Sequence, residues 1–411
     1  MSKETTEEQL SPGRALRAGL QTLLLVLVVP LGIMGGWRAV SPTSQKLAEQ
    51  AAGGADAAAL LELVQRAPHQ QQAADILHHL LGQDAAALET LAGLASAHEL
   101  ALHHLIYVAR SQPEAIKNLS RVPMSYPFAL ALLRHIKPEG IARLQQLTAD
   151  ANACFMLGVA HENGCHMPMN QEQAAYWYGK AREQNPELAE YHYARLAYLC
   201  GLSCHTNDAR RTFYWFREAA LCHHAAAQCA LGVCYAAGEG VEPNLSEAVA
   251  WYHRSAEQDY LDALFNLGWC YLHGEGVEPD ATQAVMWFRR AANRGDGLSQ
   301  YYLGRAYELG LGLPVDYTQA LTWYRRAAGE QANDAAQCAL GHCYAQGRGV
   351  EQNWKKAAYW YQLAAVQGHQ EAQLALAQCY EKGLGLTRNP DLARQWHDRA
   401  TNNSPTTKSE S

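Results

Sequence analysis

Residues 227–252 read AQCALGVCYAAGEGVEPNLSEAVAWY, and this stretch decides the fold. Ala227, Leu231 and Tyr235 fall at a spacing of four, which draws one apolar stripe along a helix. Gly238-Glu239-Gly240-Val241 then breaks the stripe with residues that accept positive φ where a helix must stop. Asn244 follows as an N-cap, because its short side-chain oxygen can take an orphan backbone N–H. A second helix from Leu245 to about Glu257 is predicted, with Ala248, Trp251, Tyr252 and Ser255 on its buried side.

The same helical hairpin recurs. Seven of the ten tryptophans stand at 177, 215, 251, 287, 323, 360 and 396, with steps of 36 to 38 residues, and each is followed by Tyr, Phe or His. A second series of small or substituted positions runs Gly158, Arg195, Gly232, Gly268, Gly304, Gly341 and Ala377. Asn170, Asp208, Asn244, Asp280, Asp316, Asn353 and Asn389 each stand seven residues before the repeated Trp. Gln173, Glu247, Gln283 and Gln319, three residues on, complete a capping-box pattern. A period of this length is the signature of a stacked repeat array. The repeated Trp, Trp287 for example, is expected to wedge between the helices of its unit and the next, with Trp354 exposed.

The pattern Ala-x3-Leu-Gly-x2-Tyr-x2-Gly-x-Gly-Val-x2-Asn/Asp-x3-Ala-x2-Trp-Tyr-x3-Ala resembles the Sel-one-like repeat family, a relative of tetratricopeptide repeats with a longer helix-joining loop. The resemblance covers residues 151–400 in seven units and implies an all-α, right-handed α/α superhelical solenoid. Units one and two depart from it: Gly164-Cys165-His166 replaces Gly-x-Gly, and Arg195 and the loop read as Gly201 to His205 replace the second unit's glycines. Residues 41–150 lack the signature but carry helical patches at 56–66, 71–81, 97–110, 126–135 and 139–148, which are expected to extend the solenoid as degenerate hairpins. Residues 401–411 are Ser/Thr-rich and are expected to be disordered.

One segment differs in kind. Residues 18–37, AGLQTLLLVLVVPLGIMGGW, are twenty residues without a charge and match the span of a hydrocarbon core. The expectation is a single uncleaved transmembrane helix after a short tail of residues 1–17. A cleaved secretory signal is the rival, weakened by the poor cleavage site after the apolar run. Lys3, Arg14 and Arg17 precede the span and Arg38 and Lys46 follow it. That margin favours a cytoplasmic N-terminus and a body on the periplasmic side of a bacterial inner membrane.

Composition excludes several functions. Thirty-three Lys and Arg against 40 Asp and Glu give a net charge of −7, with no long basic run, so a nucleic-acid partner is not expected. The Gly-x-Gly loops follow helices rather than strands, so they are not phosphate cradles. No catalytic signature is present, and no cofactor or resident metal is expected. Cys234, Cys270, Cys343, Cys379, Cys229 and Cys338 repeat with the fold and read as small core residues. Cys165, Cys200 and Cys204 fall in the aberrant loops of neighbouring units, where one disulfide is expected in an exported chain. A metal site through Cys165, His166, Cys204 and His205 lacks the usual ligand spacing.

The positions three before, one after and four after the repeated Gly form a row on the first helix. In units four and five they are Phe265, Trp269, Leu272, Tyr301, Arg305 and Glu308, rich in residue types that dominate binding hot spots. This row is the expected contact surface for a protein or peptide partner, and the chain reads as a membrane-tethered scaffold. The oligomeric state is left open. The alternative, implied by cysteine-rich relatives alone, is an envelope enzyme or a binder of cell-wall or β-lactam-type ligands.

Overall fold

The computed structural model describes residues 57–67, 124–205, 208–330 and 332–402, with further single positions between 46 and 105. The span predicted over 18–37 and residues 403–411 lie outside the described residues. Among the described residues, no helix is long and apolar enough to cross a membrane.

Seventeen α-helices and no strand make up these residues. Three precede the array: α1 (Ala57–Arg66), α2 (Tyr126–Leu133) and α3 (Pro138–Gln146). Seven hairpins follow: α4 (Ala151–Asn163) with α5 (Gln171–Gln184), α6 (Pro186–Cys204) with α7 (Ala209–Leu221), α8 (Ala225–Ala237) with α9 (Leu245–Glu257), and α10 (Leu261–His273) with α11 (Ala281–Ala292). The last three are α12 (Gly297–Leu309) with α13 (Tyr317–Glu330), α14 (Asp334–Gln346) with α15 (Trp354–Val366), and α16 (Gln370–Lys382) with α17 (Pro390–Asn402). Each helix packs chiefly on its neighbours in sequence, which is the one-dimensional build of a solenoid.

All seven predicted second-helix caps are made. The side chains of Asn170, Asp208, Asn244, Asp280, Asp316, Asn353 and Asn389 each accept the backbone N–H three residues on, at 3.0–3.1 Å. Their own N–H groups close the preceding loop. That of Asn244 donates to the carbonyl of Tyr235 at 2.8 Å, and those of Asp280 and Asn353 donate likewise to Tyr271 and Tyr344. The loop therefore has fixed ends.

Both loop glycines are required, for different reasons. Gly238, at φ +74°, ends α8 in the left-handed conformation and carries its N–H back to Cys234. Gly240, also at +74°, lies against the preceding unit: a Cβ there would fall 2.1 Å from the carbonyl oxygen of Ala209, at the first turn of α7. The same contact recurs from Gly276 to Leu245, Gly312 to Ala281, Gly349 to Tyr317 and Gly385 to Trp354. Gly-x-Gly is thus a stacking device between units.

Three expectations are corrected. The most deeply sealed residue of a unit is the aromatic after the repeated Trp, although Trp251 and Trp323 are themselves buried, at 8% and 9% exposed. Tyr178 and Tyr324 are fully buried and Phe288 is 2% exposed, whereas Trp287 is half-buried, packed against the core cluster of units three and four beside His253 and Arg290. Trp354 is half-buried on the last core cluster rather than exposed. In unit two, Gly201 to Cys204 are not a loop, because α6 runs on for nineteen residues through them. Gly201 there takes the close approach to the second helix, with a Cβ position 2.5 Å from the Phe216 ring.

Candidate functional site

The six residues of the predicted row divide between packing and surface. Phe265 is a packing residue: its ring lies 5.8 Å from those of Phe288 and Tyr302 and 6.4 Å from Trp269. Trp269 is half-buried against His273 and edge-on to Tyr302, with its indole N–H donating to Glu275 at 3.2 Å. Trp269, Leu272 and Arg305 line a cavity of about 320 Å³ whose floor includes Ala284, Phe288 and Tyr302. Tyr302 was not part of the predicted row; it comes one residue after Tyr301 and reaches back to unit four.

Tyr301, Arg305 and Glu308 line a second cavity of about 380 Å³, which continues to Cys338, His342, Arg348 and Glu371 of units six and seven. Arg305 borders both cavities, is exposed, and has no hydrogen bond or ion pair among the described residues. It is an uncommitted cation between two hollows. Glu308 is already engaged. It accepts the Tyr324 hydroxyl at 2.7 Å and pairs with Arg348 at 2.9 Å. Unit one repeats this device, with Glu162 accepting the Tyr178 hydroxyl at 2.8 Å and pairing with Arg195. The recurrence assigns Glu308 to holding its hairpin together.

The predicted row also continues further than units four and five. Position three before the repeated Gly is Cys338 in unit six, and position one after it is His342. His342 Nε2 lies 3.6 Å from Cys338 Sγ and 3.1 Å from Glu371 Oε1, and its Nδ1 lies 2.9 Å from the Tyr361 hydroxyl. Among the described residues this is the one group of three donors close enough to share a metal ion. Cys338-x3-His342 sets two ligand types one helical turn apart, a signal present in the sequence itself.

Among the described residues, the loops of units one and two bring no three metal donors together. His166 Nε2 approaches the Leu133 carbonyl at 3.0 Å, and His205 faces Glu239 at 3.7 Å. Cys200 and Cys204 lie a turn apart within α6 rather than in a loop, and Cys165 follows α4. All eleven cysteines are free thiols. Burial pushes Cys200 up to about 12 and Cys222 up to about 11.

Two histidines cap helices. His224 and His369 accept the N–H of Ala227 and Ala372 through Nδ1. Buried glutamines tie unit to unit: Gln228, Gln300 and Gln373 donate to the carbonyls of Ala220, Ala292 and Ala365.

Seven consecutive matches to the Sel1 repeat family model cover residues 151–186, 187–224, 225–260, 261–296, 297–330, 334–369 and 370–404. None of the curated proteins matches the chain. Among solved structures, a Sel1 repeat protein from Oxalobacter formigenes is 34% identical over 50% of this chain and 85% of its own, with a TM-score of 0.46. The protective antigen c5321 of uropathogenic Escherichia coli strains, described as displaying an SLR fold, is 23% identical over 88% of this chain and 89% of its own, with a TM-score of 0.50.

Proposed function

The chain belongs to the Sel1 repeat family, and from that premise we propose that it is a non-enzymatic scaffold that holds a protein or peptide partner along the first helices of units four to six. Arg305 is the observation that carries this reading: an exposed, unpaired cation set between an aromatic-floored cavity and a polar one. An extended segment could place an apolar side chain over Phe288 and Tyr302 and an acidic group on Arg305. Arg and aromatic residues around a hollow are the usual anchors of such interfaces.

The apolar span over 18–37 and the weak excess of basic residues before it support a membrane-tethered scaffold, with its body on the periplasmic side and its partner in the cell envelope. Affinity capture from envelope extracts tests the surface. The unaltered chain should retain a defined protein partner, and Arg305→Glu should weaken that capture at least about tenfold, equivalent to 1.4 kcal/mol, with an unchanged melting temperature. A partner retained equally by both would remove the row from the interface.

A further inference from the structure

We propose that Cys338, His342 and Glu371 form a binding site for a divalent metal ion of the zinc class, which ties unit six to unit seven and opens on the 380 Å³ cavity. The donor set is a thiolate, an imidazole and a carboxylate, all accepted by zinc. Cys338 and His342 stand four residues apart on α14, so they share one face, and Glu371 comes across the junction from the first turn of α16.

The distances fit. Metal–ligand bonds of 2.0–2.3 Å at tetrahedral angles require donors about 3.3–3.6 Å apart. The Sγ–Nε2 and Nε2–Oε1 separations are 3.6 and 3.1 Å, and all three donor atoms lie within 4.8 Å of one another. Glu371 is largely exposed, so its carboxylate can adjust without disturbing the core.

The geometry also separates this site from a nucleophilic relay. A Cys–His–acid triad puts the thiol and the acid on opposite ring nitrogens. Here both face Nε2, and Nδ1 is taken by Tyr361 instead. That is the arrangement of a metal-binding histidine, whose second nitrogen is oriented by an outer partner. With Nδ1–H donating to the Tyr361 oxygen, Nε2 presents its lone pair to the ion.

The repeat supplies its own control. Unit three has Cys229 at the place of Cys338 and Asp262 at the place of Glu371, but Val233 where His342 stands. The hairpin therefore folds with valine there and lacks the third donor. The test is titration of the reduced, metal-free full-length chain with Co²⁺ alone, read by the thiolate-to-cobalt charge-transfer band. The expected result is a band that saturates at one equivalent, is bleached by Zn²⁺ and survives Cys229→Ser. It should vanish in His342→Val, whose melting temperature without metal should match that of the unaltered chain, and Glu371→Gln should weaken binding about tenfold or more. No saturable band, a band that persists in His342→Val, or one lost in Cys229→Ser would overturn the proposal.

Discussion

A Cβ on Gly304 would lie 2.7 Å from the ring of Tyr324, which is fully buried and hydrogen-bonded to Glu308. The hairpin closes at this distance only because one of the two residues has no side chain. Gly304→Ala gains helix propensity of about 1 kcal/mol but must push apart two helices. Overpacking of this kind costs about 1–3 kcal/mol, so a net loss of stability is expected in urea denaturation. A stabilised variant would show that the hairpin can breathe at this point.

The loop glycines predict a graded response. Gly276 and Gly295 both have positive φ, yet a Cβ on Gly276 meets the Leu245 carbonyl at 2.3 Å while one on Gly295 meets nothing within 4 Å. Alanine at either site costs about 1–2 kcal/mol for the left-handed backbone. Gly276→Ala carries the clash in addition, so its melting temperature should fall clearly further than that of Gly295→Ala. Equal losses would mean that adjacent units do not pack through this loop.

The relative importance of Trp287 and Phe288 is equally testable. Phe288 lies under Gly268 and against Phe265 and Tyr302, so Phe288→Ala should cost about 3–5 kcal/mol. Trp287 is half-buried with its indole nitrogen unpaired, so Trp287→Ala should cost less. Chemical denaturation of the two variants compares them directly, and a larger loss at Trp287 would restore the Trp-centred packing that the sequence suggested.

The period, the two-helix unit and all seven second-helix caps were legible because each depends on local chemistry: a polar oxygen before a helix, a glycine after one, a stripe of four-residue spacing. The depth of Trp relative to its neighbour was not legible. Both are aromatic and adjacent, and only the approach of Gly268 to Phe288 rather than Trp287 decides which is sealed in. The long α6 was missed because Gly201 resembled a loop glycine, although it serves as a helix-contact glycine against Phe216. The members of the predicted row lie beside two cavities and differ in use. Phe265 and Glu308 are committed to internal contacts that depend on residues 16 to 40 positions away.

Acid should loosen the junction between the array and the helices before it. His192 stacks on Tyr126 at 4.8 Å and touches Phe155, Tyr178 and Tyr191, and burial holds its pKa below the ordinary value of 6.5. Glu162 opposes that shift and Arg195 adds to it. The unfolded chain thus binds the proton more readily, so stability is full above pH 6.5 and declines as the pH falls below it. His192→Phe should flatten the fall in melting temperature between pH 7 and 5. Some slope should remain, because His161, His224 and His253 are shifted the same way. An identical slope in the variant would exclude His192 as a source.

The central claim is that the partner sits on the first-helix row of units four to six. Site-specific photo-crosslinking reads it most directly, with the reactive side chain placed at Arg305 or, on a second helix, at the exposed Tyr214. The account predicts a discrete protein adduct from position 305 in intact cells and none from position 214. Adducts from position 214 with none from position 305 would contradict it.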